Sequence, residues 1–288
     1  MNPYYPQDKF VYANGLRMHY LDWGGDTTKK PFILMHGIGG HAHAFDKFAP
    51  HFLDKYRVLA LDGRGCGDTD WSKEGYSVQS YALDVAEFAK AIGAYPFDYY
   101  GHSQGSRIGM VLGAYYGHLV DHLILGDYGP MPDPSPAGRE TAQRRLQGSQ
   151  RAERPRGFFS PEQAFEWHRQ QNETATDEEI WNIVRWTYRS NWDGILVPKT
   201  DPEVYWLNGR TALKEGPFLW ECVGKITCKT LVLRGETSTV LDREQAQKMA
   251  ATIPNGKGKL IEVPGVGHGL HSQDMETTVR IIREFLET

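Results

Sequence analysis

Long apolar runs are missing from this sequence: none approaches the roughly 20 residues that a membrane-spanning helix needs, so no membrane role is expected. Cysteine is scarce as well. Cys66, Cys222 and Cys228 are odd in number and have no paired spacing, which argues against a disulfide framework and for buried thiols in a reducing compartment. Neither sign of charge dominates. A formal net charge of -4 gives no field of the kind that gathers nucleic acid or anionic lipid, so nucleic acid is not expected as a partner. The opening residues MNPYYPQDKF are polar and proline-broken, unlike a secretory leader. The expectation is a cytoplasmic protein.

What is present suffices for a large core, since 40% of the 288 residues are hydrophobic. FVYANGLRMHYLDW reads as a β-hairpin about Asn14-Gly15. FILMHG, YRVLALDG and the run from Phe97 read as strands, with a helical stretch near 43–53 and a helix in SVQSYALDVAEFAKAIG between them. HLILGD, TLVLRG and KLIEVPG supply later strands. Strands apolar on both faces that alternate with helices imply an α/β fold, a mostly parallel, doubly wound sheet covered on two sides.

Residues 131–222 break that rhythm with three helix starts of their own: Ser160-Pro161-Glu162-Gln163, Thr176 with Glu179, and Asp201-Pro202. They read as a helical lid inserted into a core formed by residues 1–130 and 223–288. The insertion is entered through the proline-rich MPDPSPAG. It holds six of the eight tryptophans: Trp167, Trp181, Trp186, Trp192, Trp206 and Trp220. Trp181, Val184 and Tyr188 recur at helical spacing and should hold the lid together. The surplus suggests an apolar pocket roof for a hydrophobic or aromatic substrate. The arginine-rich GRETAQRRLQGSQRAERPRG reads as a solvated segment; alternatively an arginine there, or Arg185 or Arg189, pairs with a substrate carboxylate.

The chemistry centres on GHSQG, which places Ser103 between Gly101 and Gly105 where a strand gives way to a helix. Gly-x-Ser-x-Gly in that setting is a nucleophile elbow: only glycine-sized neighbours let the chain turn sharply enough to lift the hydroxyl above the sheet. A serine hydroxyl needs a base beside it. His268, in the glycine-rich loop after the last strand, is the candidate; His271 competes but falls where the terminal helix should begin. HGIGG offers the backbone amide of Ile38 and the helix start offers that of Gln104, which together would form an oxyanion hole. His36 within HGIGG reads as a packing residue.

With HGIGG, LALDGRGCGDTD, GHSQG, LRGETSTVL and VPGVGHG in this order over nearly its whole length, the chain resembles the α/β-hydrolase superfamily. In many members of that family a strand like TLVLRG is followed by Gly-x-x-Asp, but here the fourth residue of GETS is Ser238. Other members carry the acid after the strand that follows the nucleophile helix, and LILGDYGP puts Asp127 there. Asp127 is the expected acid, with Glu236 and Asp242 as rivals; Asp242 also heads a helix-capping pattern with Gln245. The resemblance implies a serine hydrolase that uses Ser103, His268 and Asp127 on an ester, a lactone or an amide, with no cofactor and no metal. Cleavage of carbon-carbon bonds in aromatic ring-cleavage products, a cofactor-free oxygenase and a non-catalytic binding protein of the same fold remain alternatives. Asp62, Arg64 and Asp68 read as loop-organising residues. His41 and His43 read as loop histidines, since no ligand set completes a metal site around them.

Overall fold

A computed structural model describes residues 5–24, 27–130, 155–171 and 175–288, with the backbone alone at 206–213. β1 (Gln7–Ala13) and β2 (Leu16–Asp22) form the hairpin, turning through Asn14 and Gly15 at φ +47° and +73°, the pair of left-handed residues that such a two-residue turn requires. β3 (Lys30–Met35), β4 (Tyr56–Leu61), β5 (Phe97–His102) and β6 (Val120–Gly126) follow. A separate small hairpin, β7 (Tyr188–Ser190) with β8 (Leu196–Pro198), precedes β9 (Lys229–Gly235) and β10 (Gly258–Val263). The main sheet has eight strands in the order β1-β2-β4-β3-β5-β6-β9-β10. β2 runs antiparallel to both its neighbours, and the other pairings are parallel.

Alternation along each strand divides the core between two faces. In β3, Ile33 and Met35 join one buried cluster while Phe32 and Leu34 join the other; in β4, Leu59 and Leu61 face one way and Val58 and Ala60 the other. α1 (Val78–Ala91) and α2 (Gln104–Tyr115) cover the first face with Val85, Phe88, Val111 and Leu112. The second is covered by Phe45, Phe48 and Phe52 and by Ile282 and Phe285 near the carboxyl end. Each such buried side chain stabilises the fold by about 1.5–3 kcal/mol. The stretch expected as a helix near 43–53 is instead two 3-10 turns, Ala42–Phe45 and Ala49–Phe52. Pro50 explains the difference, because it has no amide hydrogen to donate and its ring opposes the preceding turn.

Between β6 and β9 lie α3 (Pro161–Gln171), α4 (Asp177–Thr187) and α5 (Pro202–Val223), besides the small hairpin. Their starts are capped by the residues that the sequence offers: Ser160 accepts from the Gln163 amide, Thr176 and Glu179 form a reciprocal capping box, and Asp201 accepts from the Glu203 amide. MPDPSPAG, the arginine-rich stretch through residue 154 and the Trp206 side chain lie outside the described residues. A small core forms from Phe158, Ala164, Val184 and Tyr188. Trp181 does not join it. Ile180 is buried in its stead, while Trp181 is 41% exposed and stacks on Phe165, and Tyr188 has left the helix for β7. Trp192 is fully exposed. Trp186 stacks on His43, in the segment between β3 and β4, with ring centroids 3.4 Å apart.

Polar contacts tie this region to the loop after β4: Lys199 pairs with Asp68 at 2.6 Å, the Asp201 amide donates to the Gly65 carbonyl at 2.8 Å, and the Tyr76 hydroxyl donates to the Asp201 carboxylate. The remaining helices are α6 (Arg243–Thr252), the short α7 (Leu270–Gln273) and α8 (Met275–Leu286). Asp242 caps α6 by accepting from the Gln245 amide at 2.7 Å. No helix among the described residues is long and apolar enough to cross a membrane. All three cysteines are free and buried, and burial pushes the Cys222 and Cys228 thiols up to about 12 and about 11.

Candidate active site

Ser103 stands between the last residue of β5 and the first of α2 at φ +56°, ψ -112°, a conformation that a side chain rarely adopts. Its glycine neighbours are sterically required. A Cβ on Gly101 would lie 2.1 Å from the Gly105 carbonyl oxygen, and one on Gly105 would lie 2.4 Å from that of Met35. The Ser103 amide donates to the Gly126 carbonyl at 2.8 Å, pinning the bend to the end of β6.

Asp127 follows β6 directly, also at positive φ (+50°), and is completely buried. Its amide donates to the Leu233 carbonyl at 2.8 Å, and its Oδ1 accepts from the Gly235 amide at 3.0 Å. Oδ2 receives His268 Nδ1 at 2.7 Å, and His268 Nε2 lies 3.0 Å from Ser103 Oγ. A carboxylate can only accept, so Nδ1 carries the hydrogen and the neutral ring presents Nε2 as an acceptor to the serine hydroxyl. Ser103, His268 and Asp127 are therefore brought into one hydrogen-bonded row from the ends of β5, β10 and β6. The row runs from a dry end at Asp127 to a wetter one, with the His268 side chain 35% exposed.

Two supporting residues escaped the reading of the sequence. His102 Nε2 donates to the His268 carbonyl at 2.7 Å, and the two rings pack with centroids 4.8 Å apart. Burial, with the charge of His268 adding to it, pushes His102 down to about 4, so it stays neutral. Ser238, the fourth residue of GETS, donates to Asp127 Oδ2. The clue was in the letters: a histidine inside GHSQG and a hydroxyl where a carboxylate was missing. His271 is no part of the row, because it is buried against Tyr100, whose hydroxyl lies 3.0 Å from Nδ1.

The HGIGG loop passes directly over the serine, where a Cβ on Gly37 would lie 3.3 Å from Ser103 Cβ and 3.7 Å from Oγ. Ile38, next along, is 43% exposed. Gln104 is the first residue of α2, where helix amides have no partner within the helix. His36 braces this loop from below, with Nδ1 on the Gly37 carbonyl at 2.6 Å and Nε2 accepting from the Gly63 amide at 3.0 Å.

Other candidates are occupied elsewhere. Glu236 is exposed and accepts from the Gly265 amide at 2.8 Å, so it braces the turn before His268 without contacting the imidazole. Arg185 and Arg189 are exposed. His41 is buried and pushed down to about 3 by burial, and His43 pairs with Asp46 at 3.1 Å. Arg64 is buried in a bidentate pair with Asp84 at 2.6 and 2.7 Å. His19, Asp62 and Asp68 lie close enough together to share an ion, but they satisfy one another and their neighbours. Asp62 binds His19 at 2.7 Å and accepts from the Ala42 and Asp68 amides, while Asp68 pairs with Lys199.

That buried pair makes stability depend on pH. Burial pushes His19 down, but the hydrogen bond and charge of Asp62, with Asp68 and Asp8 behind it, outweigh this and raise it. Burial would raise Asp62, yet His19 and the Asp68 amide hold it at about 2. A raised histidine stabilises the fold fully below its unfolded value of about 6.5, and that gain is lost as pH rises through the folded value. The lowered Asp62 contributes above about 3.8 and loses its contribution as pH falls towards 2. In urea unfolding, the stability gap between wild type and His19→Gln should be wider near about pH 5 than near about pH 9. A gap that is constant or widens upward would refute a charged His19.

A family model described as alpha/beta hydrolase fold matches residues 30–274. A 3-hydroxybutyrate-oligomer hydrolase from Cupriavidus necator is 29% identical over 275 residues, covering 88% of this chain and 87% of the relative. A 2-(acetamidomethylene)succinate hydrolase from Mesorhizobium japonicum is 24% identical over 258 residues, with 88% and 87% covered. Among solved structures, an E-2-(acetamidomethylene)succinate hydrolase superposes with a TM-score of 0.84 at 20% identity, covering 99% of this chain and all of the other. The match to the family model runs from β3 past His268, and the chain belongs to the α/β-hydrolase fold family.

Proposed function

We propose that the protein is a serine hydrolase that cleaves an ester or lactone of a small hydrophobic molecule through an acyl-enzyme. The observation that carries this reading is the continuous row Asp127–His268–Ser103 with its serine on a strained bend. Ser103 Oγ attacks the carbonyl carbon while His268 Nε2 takes the hydroxyl proton, and Asp127 stabilises the imidazolium that forms. The amides of Ile38 and Gln104 hold the oxyanion, each such donor being worth about 10²–10³ in rate. On collapse the carbonyl re-forms, and the leaving group departs with the proton from Nε2. A water then gives a proton to Nε2 and adds to the acyl carbon; Ser103 Oγ leaves and recovers its proton, releasing the acid.

Residues 131–222 act in this reading as a lid over the core of residues 1–130 and 223–288, with Trp186 stacked on His43 and the exposed Ile38 offering apolar surface to a substrate. An ester is preferred over an amide because its leaving group departs more readily. The relative named as a 3-hydroxybutyrate-oligomer hydrolase points the same way, since hydroxy acids join through ester bonds. The chemistry uses no cofactor and no metal.

Incubation with a fluorophosphonate followed by intact mass should give one adduct per chain, absent from Ser103→Ala. A folded wild type that takes up no adduct would sink the acyl-enzyme and favour an oxygenase or a binding protein of the same fold. A panel of esters, lactones, amides and ring-cleavage diketones then identifies the bond.

A further inference from the structure

We propose that Ser238 is a positioning residue that acts through Asp127, fixing its carboxylate and setting the proton affinity of His268. This rests on the Ser103–His268–Asp127 reading. Ser238 is buried, and its hydroxyl donates to Oδ2, the same carboxylate oxygen that receives His268 Nδ1. The hydroxyl has one proton, and its direction is settled: Ser238 Oγ already accepts from the Val240 amide at 3.1 Å and the Leu241 amide at 3.4 Å. The proton therefore points at Asp127. With the Gly235 amide on Oδ1 and the Ser238 hydroxyl on Oδ2, each oxygen of the buried carboxylate has a donor besides the imidazole's, which holds its orientation.

Two donors sharing Oδ2 compete for its charge. The hydroxyl disperses part of the negative charge that would otherwise favour imidazolium, so removing it should let His268 keep its proton to higher pH. The other groups facing this site are His102 and Tyr100 from β5, His271 from α7 and Arg234 from β9, whose guanidinium reaches the Ser238 carbonyl. His102 and His271 are held neutral by burial.

The test compares wild type with Ser238→Ala and Ser238→Thr. The rate of Ser103 labelling by a fluorophosphonate is followed against pH, and kcat and KM are measured on p-nitrophenyl butyrate. In Ser238→Ala the acidic limb of the labelling profile should move up by about half a pH unit, and kcat should fall about tenfold with KM nearly unchanged. Ser238→Thr, which keeps the hydroxyl, should return the limb to its wild-type position. If Ser238→Ala does not fold, Ser238→Cys, a weaker donor of similar size, should show a smaller upward shift. A limb that stays in place or moves down overturns the proposal and leaves Ser238 as a brace for the turn at Val240 and Leu241. Failure of wild type itself to label would instead overturn the hydrolase reading.

Discussion

Asp127→Asn should lower kcat/KM on an ester by about 10⁴-fold, while Glu236→Gln should stay within about twofold of wild type, as surface substitutions do. The contrast follows from where the two side chains point. Asp127 is fully buried and holds His268 Nδ1–H at 2.7 Å. An asparagine there keeps the size but can turn its NH₂ towards the ring, which then carries its hydrogen on Nε2 and cannot accept the serine proton. Glu236 touches the Gly265 amide and no part of the imidazole, so its loss removes one exposed hydrogen bond from a turn. Steady-state kinetics on the two variants decide the matter. Comparable losses, or a larger one for Glu236→Gln, would remove Asp127 from the mechanism.

The parts of this protein that were readable in advance are those set by local physics. The Asn14-Gly15 turn, the caps at Thr176, Asp201 and Asp242 and the strands apolar on both faces each depend on a few consecutive residues, and the structure forms all of them. The elbow was readable for the same reason, because Gly101, Ser103 and Gly105 are near neighbours. Of the contacts closed across the fold, the meeting of Ser103, His268 and Asp127 was expected with the help of the family resemblance, whereas the supporting ones were not. Ser238 stands where an aspartate was expected and His102 lies inside GHSQG, but no neighbouring residue says that the first meets a carboxylate 111 residues earlier or that the second holds the carbonyl of His268. Where local pattern misled, a second local term outweighed it: Pro50 divided an apolar run into 3-10 turns. Trp181 has the right spacing to face inward, but the helix turned Ile180 inward and left the indole outside, stacked on Phe165. Helical spacing alone leaves the rotation of a short amphipathic helix open by one position.

Ser103→Gly and Ser103→Ala should both abolish turnover, with kcat falling by about 10⁶-fold, yet they should differ in stability. At φ +56°, ψ -112° a Cβ crowds the backbone, a strain of roughly 1–3 kcal/mol that alanine keeps and glycine sheds. Glycine gives back about 0.5–1 kcal/mol through the greater freedom of the unfolded chain. A net gain of about 1 kcal/mol is therefore expected for Ser103→Gly over Ser103→Ala, or a Tm higher by roughly 2–4 °C in a chain of this size. Thermal and urea unfolding of the two inactive proteins read this directly, without any substrate. Equal stability, or a more stable alanine variant, would mean that the bend stores no strain. In that case the tight approach of Gly101 to Gly105, and the Ser103 amide bonded to Gly126, would reflect close packing alone. In the proposed mechanism the expected inequality has a functional sense: the same bend that costs the fold stability holds the hydroxyl 3.0 Å from His268, so that the serine would need no rearrangement before it reacts.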